Sequence, residues 1–220
     1  MSTIVEMLSG ILRYFPNSMI ATLFVVGMMT GRIAWILVSI GGILIVVGTL
    51  ILQYLISKTV GSSLPMGWAE IPGQHVISAC SLLPIAQGGT YAAAPSLWVA
   101  ISSFFATYII TNATNVYTQS PISSKAAAAF SVQQRKGVGL ISMLAVILLF
   151  LFLLAARCMS TDCESTLGVL LGLGIGIGGG YGWWSVLNAC GADVYPDIHG
   201  VMIASSPSIL RTGPMVCAKT

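Results

Sequence analysis

Charge is what this sequence has least of. Asp, Glu, Lys and Arg make up 7% of its 220 residues, against about 25% in an ordinary soluble domain. None of the four occurs between Glu70 and Lys125. Hydrophobic residues make up 56% of the chain and its mean hydropathy is +0.92, so the polar surface is too small to cover a water-soluble globule. The composition therefore predicts an integral membrane protein with lipid as its main solvent.

Motifs for catalysis and for metal binding are also missing. The sequence has no Walker loop, no H-E-x-x-H, no nucleophile elbow and no C-x-x-C pair. The one cluster of ionisable residues consists of Cys190, Asp193, Asp197 and His199. Aspartate and histidine in a tail are more often capping or surface groups than ligands. We therefore predict no catalytic residue, no metal, no other cofactor and no nucleic-acid partner, and we expect that the protein is not an enzyme.

Five uncharged blocks are candidates for spanning helices, each of which needs ~20 mostly apolar residues to cross a hydrocarbon core of about 30 Å. The blocks are residues 15–31, 33–56, 92–110, 138–156 and 166–187. Only Arg32 separates the first two, which predicts a tight helical hairpin with Pro16 at the start of its first span. Residues 76–89 are apolar but broken by Pro84 and by two glycines. They form either a re-entrant segment or a surface loop, and the loop is favoured.

The two ends of the chain differ from the spans. Ser2 and Thr3 can cap a helix, and the apolar residues that follow up to Leu12 predict a short amphipathic helix in the membrane interface before the chain turns inward at Pro16. The last segment, residues 188–220, contains prolines and glycines that exclude a long helix. We thus predict an all-α integral membrane protein with about five transmembrane helices, a short N-terminal interfacial helix and an irregular C-terminal tail. Residues 1–187 form its helical transmembrane domain.

Basic residues in the loops predict the orientation, because basic loops stay on the cytoplasmic side of a membrane. With five spans, one set of loops carries Arg32, Lys125, Arg135, Lys136, Arg211 and Lys219. The other set carries Arg13, Lys58 and Arg157. The bias predicts an outside N-terminus and an inside C-terminus.

Glycines recur at four-residue spacing in the last span. One ladder consists of Gly168, Gly172, Gly176 and Gly180, and the other of Gly174, Gly178 and Gly182. The ladders lie roughly 200° apart around a helix. Because glycine lets a neighbouring backbone approach closely in lipid, each ladder predicts a helix-packing face. One partner would be a helix of the same chain and the other a second copy or another protein. The alternative is that the glycines have no packing role.

Cysteine and the tail give two further hypotheses. Cys158 and Cys163 flank a short loop and could form a disulfide in an oxidising compartment, although reduced thiols are equally expected. The tail is too apolar to be freely solvated, so we predict that it docks onto a partner, with packing against its own helices as the alternative. The candidate docking residues are Tyr195, Pro196, Asp197, His199 and Arg211.

The tail also carries a resemblance. The runs at residues 190–203 and 210–217, and less strongly those at 91–120 and 133–137, resemble a multi-pass membrane protein of nucleocytoplasmic large DNA viruses of algae and other protists. The resemblance implies a location in the membrane beneath the viral capsid, or in a host membrane during assembly. It implies other membrane or capsid proteins as partners, beside the lipid bilayer that the composition predicts and the second copy of the chain that the glycine ladders allow.

Two classes of function compete. The first is a structural protein that anchors or organises a membrane beneath a capsid. The second is a small channel or transporter subunit in which the glycine-rich helix lines or gates a pore. The lack of charge inside the predicted spans favours the first. An enzyme acting on lipid ranks third, because only the cluster from Asp193 to His199 could supply its acid, base or metal ligands.

Overall fold

The computed structural model describes residues 2–59, 70–71, 91–92, 94–118, 132–161, 164–191 and 198. Its helices are α1 (Ser2–Thr30), α2 (Ile33–Thr59), α3 (Leu97–Thr118), α4 (Val132–Thr161) and α5 (Thr166–Gly191). The short strands β1 (Glu70–Ile71) and β2 (Tyr91–Ala92) pair antiparallel between α2 and α3 in the chain. Four described helices, α2 to α5, are long and apolar enough to span a membrane. The predicted helical membrane class is confirmed, with four such helices against about five predicted.

Helix α1 differs from its prediction. The expected interfacial helix and the expected span at 15–31 form one continuous helix with Pro16 inside it, so the predicted turn at Pro16 is wrong. Proline lacks the N–H that would bond to the carbonyl four residues earlier. That carbonyl, of Leu12, instead accepts a hydrogen bond of 2.7 Å from Trp98 Nε1. Helix α1 is not among the four spanning helices, and its uncharged part rises only about 25 Å.

The predicted hairpin joins α1 to α2 through a two-residue turn. Gly31 adopts a positive φ of 67°, and the Arg32 N–H donates to the Gly27 carbonyl at 3.1 Å. This is the Schellman arrangement that ends a helix where glycine follows its last residue. A Cβ at Gly27 would lie 3.0 Å from Ile36 N and 3.2 Å from Trp35 Cβ. The two helices can therefore approach closely only because this residue is glycine.

Helix α3 lies further along the chain than the predicted block at 92–110. It begins at Leu97 because Pro95 disfavours helix before it and the Ser96 hydroxyl accepts a hydrogen bond of 3.2 Å from Val99 N. It continues to Thr118 although its last turns are polar. Thr114 and Thr118 donate their hydroxyls to the carbonyls four residues earlier, at 2.8 and 2.9 Å. Such bonds let polar side chains remain within a helix.

Helix α3 is the centre of the bundle. Every residue from Leu97 to Ala106 is buried, and the main hydrophobic cluster is built around Trp98, Phe104 and Tyr108. At one end of the bundle, Gln53 Nε2 donates to Pro95 O at 2.7 Å and Ser96 N donates to Gly168 O at 2.9 Å. The end of α2 therefore meets the starts of α3 and α5 there. The end of α4 lies at the same place, since Arg157 is 5.9 Å from the Trp98 ring, and the α1–α2 turn lies at the opposite end.

Candidate functional site

One glycine ladder of α5 lies directly against the backbone of α3. A Cβ at Gly172 would lie 2.8 Å from Ser96 O, and one at Gly180 would lie 2.6 Å from Phe104 O. At Gly176 a Cβ would meet Ser103 Oγ and Ala100 O and would lie 2.8 Å from Phe104 N. No larger residue fits at these distances without moving the backbone of α3. The three glycines thus make a backbone-to-backbone interface within the chain.

The contacts advance in register along both helices. Gly172 lies beside Ser96 to Ala100, and Gly180 lies beside Phe104 to Tyr108, eight residues further along each helix. The two helices therefore run parallel, with one helical turn of α5 beside one turn of α3. Ser103 Oγ donates to Val99 O at 2.7 Å and lies 3.4 Å from Gly172 O. The Ser103 hydroxyl thus has a hydrogen-bond acceptor within α3 and also contacts the backbone of α5.

Gly168, the first member of the same ladder, lies at the end of the interface where α3 and α5 begin. Its N–H donates to Ser165 Oγ at 2.9 Å, which caps the start of α5. Its carbonyl accepts from Ser96 N at 2.9 Å, just before α3 begins. The two serines and the glycine thus fix the starts of both helices relative to each other.

The second ladder has the opposite environment. A Cβ at Gly174, Gly178 or Gly182 would have no neighbour within 4 Å among the described residues. The surrounding surface is apolar and open, with exposed fractions of 62% at Leu170 and 50% at Ile177. Of the two packing faces predicted on this helix, the structure brings one against α3 and leaves the other uncovered within the described part of the chain.

Tryptophan N–H groups join helices that the glycines bring together. Trp183 Nε1 donates to the Leu37 carbonyl at 3.0 Å. A Cβ at Gly41 would lie 2.6 Å from Trp183 Nε1, so glycine there gives the indole room to reach the carbonyl. Trp35 Nε1 donates to the Ile198 carbonyl at 2.9 Å. Because Ile198 also packs on the hydrophobic cluster, the one described residue beyond α5 contacts its own chain.

A buried ion pair lies at the other end of the bundle, where α4 ends. Arg157 Nε donates to Glu164 Oε1 at 3.2 Å, and both side chains are almost fully buried, with exposed fractions of 0% and 1%. The guanidinium carbon of Arg157 lies 5.9 Å from the centroid of the Trp98 ring. The pair therefore ties the α4–α5 turn to the start of the central helix.

The Glu164 carboxyl lies just outside the spanning segments of α4 and α5. Burial raises its pKa above the ordinary glutamate value. A hydrogen bond from the Ser96 side chain and the positive charge of Arg157 both act in the opposite direction and favour the carboxylate. A proton is thus bound more tightly in the folded protein than in the unfolded chain.

Three polar side chains near the far ends of α3 and α5 are buried without a hydrogen-bond partner among the described residues. The unpaired atoms are Asn115 Nδ2, Trp184 Nε1 and Asn188 Oδ1. Two of these atoms are donors and one is an acceptor.

The remaining predicted site residues fall outside this region. Cys158 is an exposed free thiol within the last turns of α4, which continues to Thr161 rather than ending at residue 156. Its proposed partner Cys163 and the five docking residues of the tail lie outside the described residues. Cys190 is an exposed free thiol in α5. No group of three or more potential metal ligands occurs in the described part of the chain.

Sequence reasoning missed the Arg157–Glu164 pair. In the five-span prediction Arg157 is a loop charge, because it stands at the edge of an apolar block. The available signal was position: a lone arginine within one turn of a long uncharged block, followed by acids, is favoured to pair when the helix continues past it.

Comparison of the chain with protein-family models, curated proteins and solved structures finds no match.

Proposed function

We propose that the protein is a non-enzymatic structural component of a membrane, which anchors or organises neighbouring proteins through its helices and its tail. The observation that carries this proposal is the sealed central helix. Ten consecutive residues of α3, from Leu97 to Ala106, are buried by the surrounding helices, and only Ser102 and Ser103 among them bring a polar side chain besides the Trp98 indole. A solid, apolar centre suits an anchor.

The same packing argues against a pore through a single copy. Pore-lining helices present polar groups or a hydrophobic constriction to a continuous path. Here the glycine face expected to line or gate such a path is in contact with the backbone of α3 at Gly172 and Gly180. A channel would therefore need several copies arranged around the open ladder of α5.

The open ladder also supports assembly. Its glycines lie on an apolar face of a spanning helix, where close helix contact is the main source of association in lipid. The partners we propose are the lipid bilayer together with other membrane or capsid proteins or a second copy of the chain. The proposed location in a virion inner membrane, or in a host membrane during assembly, rests on the sequence resemblance alone.

Liposomes test the anchor against the channel. The full chain is reconstituted into vesicles of phosphatidylcholine and phosphatidylglycerol, and potassium and chloride efflux are measured beside empty vesicles. We expect efflux no faster than in the empty vesicles. Efflux that rises with protein content and falls for Gly178→Leu would overturn the proposal in favour of a multi-copy pore lined by the open ladder.

The viral location needs a separate measurement. If the proposal is right, the chain remains with intact virus particles after protease treatment without detergent, and it leaves them when lipid is extracted. A chain that ends after Gly191 should insert and fold but be lost from particles. Normal incorporation of that truncated chain would remove the tail from the docking proposal. Absence of the full chain from particles would remove the viral location and leave the anchor role intact.

A further inference from the structure

A half-open apolar cavity of about 50 Å³ lies between α1, α3 and α4. Its lining includes Phe15 and Met19 of α1, Ser102 and Phe105 of α3, and Val146 and Phe150 of α4. Serine is the one polar residue type in the lining. Leu149 of α4 also lines the cavity and is half exposed, so we infer that the open side faces the bilayer.

Ser102 makes this cavity different from an ordinary gap between helices. The residue is only 5% exposed, and its hydroxyl is buried without a hydrogen-bond partner among the described residues. The adjacent Ser103 shows what a serine in this helix usually does, since its hydroxyl bonds to the Val99 carbonyl at 2.7 Å. A buried hydroxyl that lacks a partner costs free energy. A bound molecule with one suitable polar group would recover it.

The apolar walls and the small volume of the cavity limit which molecule can bind there. A water at Ser102 would find only one protein partner, whereas buried waters typically make about three hydrogen bonds. A volume of about 50 Å³ accepts a short stretch of hydrocarbon chain. Ser102 lies in the second turn of α3, about 8 Å from the start of the helix. This depth is close to the edge of the hydrocarbon core, where lipid acyl chains begin.

We propose that the cavity binds one acyl chain of a glycerophospholipid, whose ester carbonyl accepts a hydrogen bond from the Ser102 hydroxyl. The chain itself packs against Met19, Phe105 and Phe150. The bound lipid fills the gap between α1 and the spanning helices α3 and α4. This site is independent of the anchor role proposed above, because a channel subunit or an anchor could equally hold such a lipid.

Photocrosslinking tests the site in the full-length protein. The chain is reconstituted into phosphatidylcholine vesicles that contain a phosphatidylcholine with a diazirine in the upper part of one acyl chain, and adducts are mapped by mass spectrometry. We expect adducts at Met19 and Val146 well above those at Leu148 and Phe152, which are exposed on α4 outside the cavity. Ser102→Ala should lower the cavity adducts about two- to ten-fold, the range for one hydrogen bond, and leave the adduct at Leu148 unchanged.

Two further variants sharpen the result. Val146→Phe fills the cavity and should lower the Met19 adduct, whereas the matched Leu148→Phe adds the same ring outside the cavity and should not. Thermal unfolding in detergent reports whether each variant is folded. If Val146→Phe does not fold, the result for Ser102→Ala decides, because that substitution removes only an unpaired hydroxyl. Even labelling of Met19 and Leu148, or no response to Ser102→Ala, would overturn the proposal. Adducts replaced by contacts with a second copy would do so as well.

Discussion

Two ladders of glycine on one helix have opposite surroundings. Gly172, Gly176 and Gly180 lie so close to α3 that an added Cβ would meet backbone atoms, whereas Gly174 and Gly178 have open space. Both ladders have the same four-residue spacing and lie on the same helix. Spacing thus identifies a face on which a helix could approach, while the partner helix decides which face is used. Substitution tests this difference, because the change from glycine to leucine should destabilise the protein on the packed face but not on the open face.

Leucine at Gly176 should have the largest effect. The first atom of its side chain would already meet Ser103 Oγ and Ala100 O, so α3 and α5 would have to separate. We expect a loss of unfolding free energy greater than about 4 kcal/mol, at the upper end for single substitutions. Unfolding in mixed micelles of mild detergent and sodium dodecyl sulfate, followed by circular dichroism and tryptophan fluorescence, measures it.

Gly178→Leu is the matched control on the open face. Leucine favours helix over glycine by about 0.5–1 kcal/mol, and nothing described lies within 4 Å to oppose it. Its monomer should therefore be as stable as the wild type or slightly more so. Equal losses for the two variants would mean that the two faces do not differ in the way the structure shows.

Much of this fold is predictable from sequence, and the unpredicted parts have physical causes. The long apolar blocks predict α2 and α4 because burial in lipid demands only length and composition. The ends of the helices were underestimated where polar residues bond back to the helix, as Thr114 does. The position of Arg157 beside acidic residues is a signal for an ion pair, but its burial with Glu164 could not be predicted, since burial of a charge depends on which helices surround it.

The ion pair should give the second largest effect. Arg157→Met keeps most of the side-chain volume but leaves the buried Glu164 carboxylate without its cation, which typically costs about 3–5 kcal/mol. We expect the loss to fall within that range at neutral pH. The double variant Arg157→Met with Glu164→Leu should recover most of it, since an apolar pair replaces the charges. A double variant no more stable than Arg157→Met would show that the pair is not the cause. The same unfolding assay measures all three.

Acidity should modulate the same end of the bundle through Glu164, and more weakly than the removal of Arg157. Burial raises the pKa of Glu164 in the folded protein. A raised native pKa means that the stability due to proton binding is fully present below the ordinary glutamate pKa and is lost as pH rises through the native value. Unfolding free energy measured between pH 4 and pH 8 should therefore decline with rising pH in that window. Glu164→Gln, which cannot ionise, should flatten this decline, and an unchanged slope would assign it to other groups.

The smallest effect concerns α1, the one described helix that is not among the four long and apolar enough to span a membrane. Leu12 O lacks its helical partner because Pro16 has no N–H, and Trp98 Nε1 donates to it at 2.7 Å. Trp98→Phe should cost about 1–3 kcal/mol, because it leaves a buried carbonyl unpaired. In a Pro16→Ala background the restored N–H can bond to Leu12 O, so the same Trp98→Phe should cost about 1 kcal/mol less. A double-mutant cycle in the unfolding assay measures this coupling. Since Trp98 also packs beside Arg157, part of its cost will remain in both backgrounds, and only the difference reports the hydrogen bond. Additive effects of the two substitutions would show that the indole stabilises the bundle by packing alone.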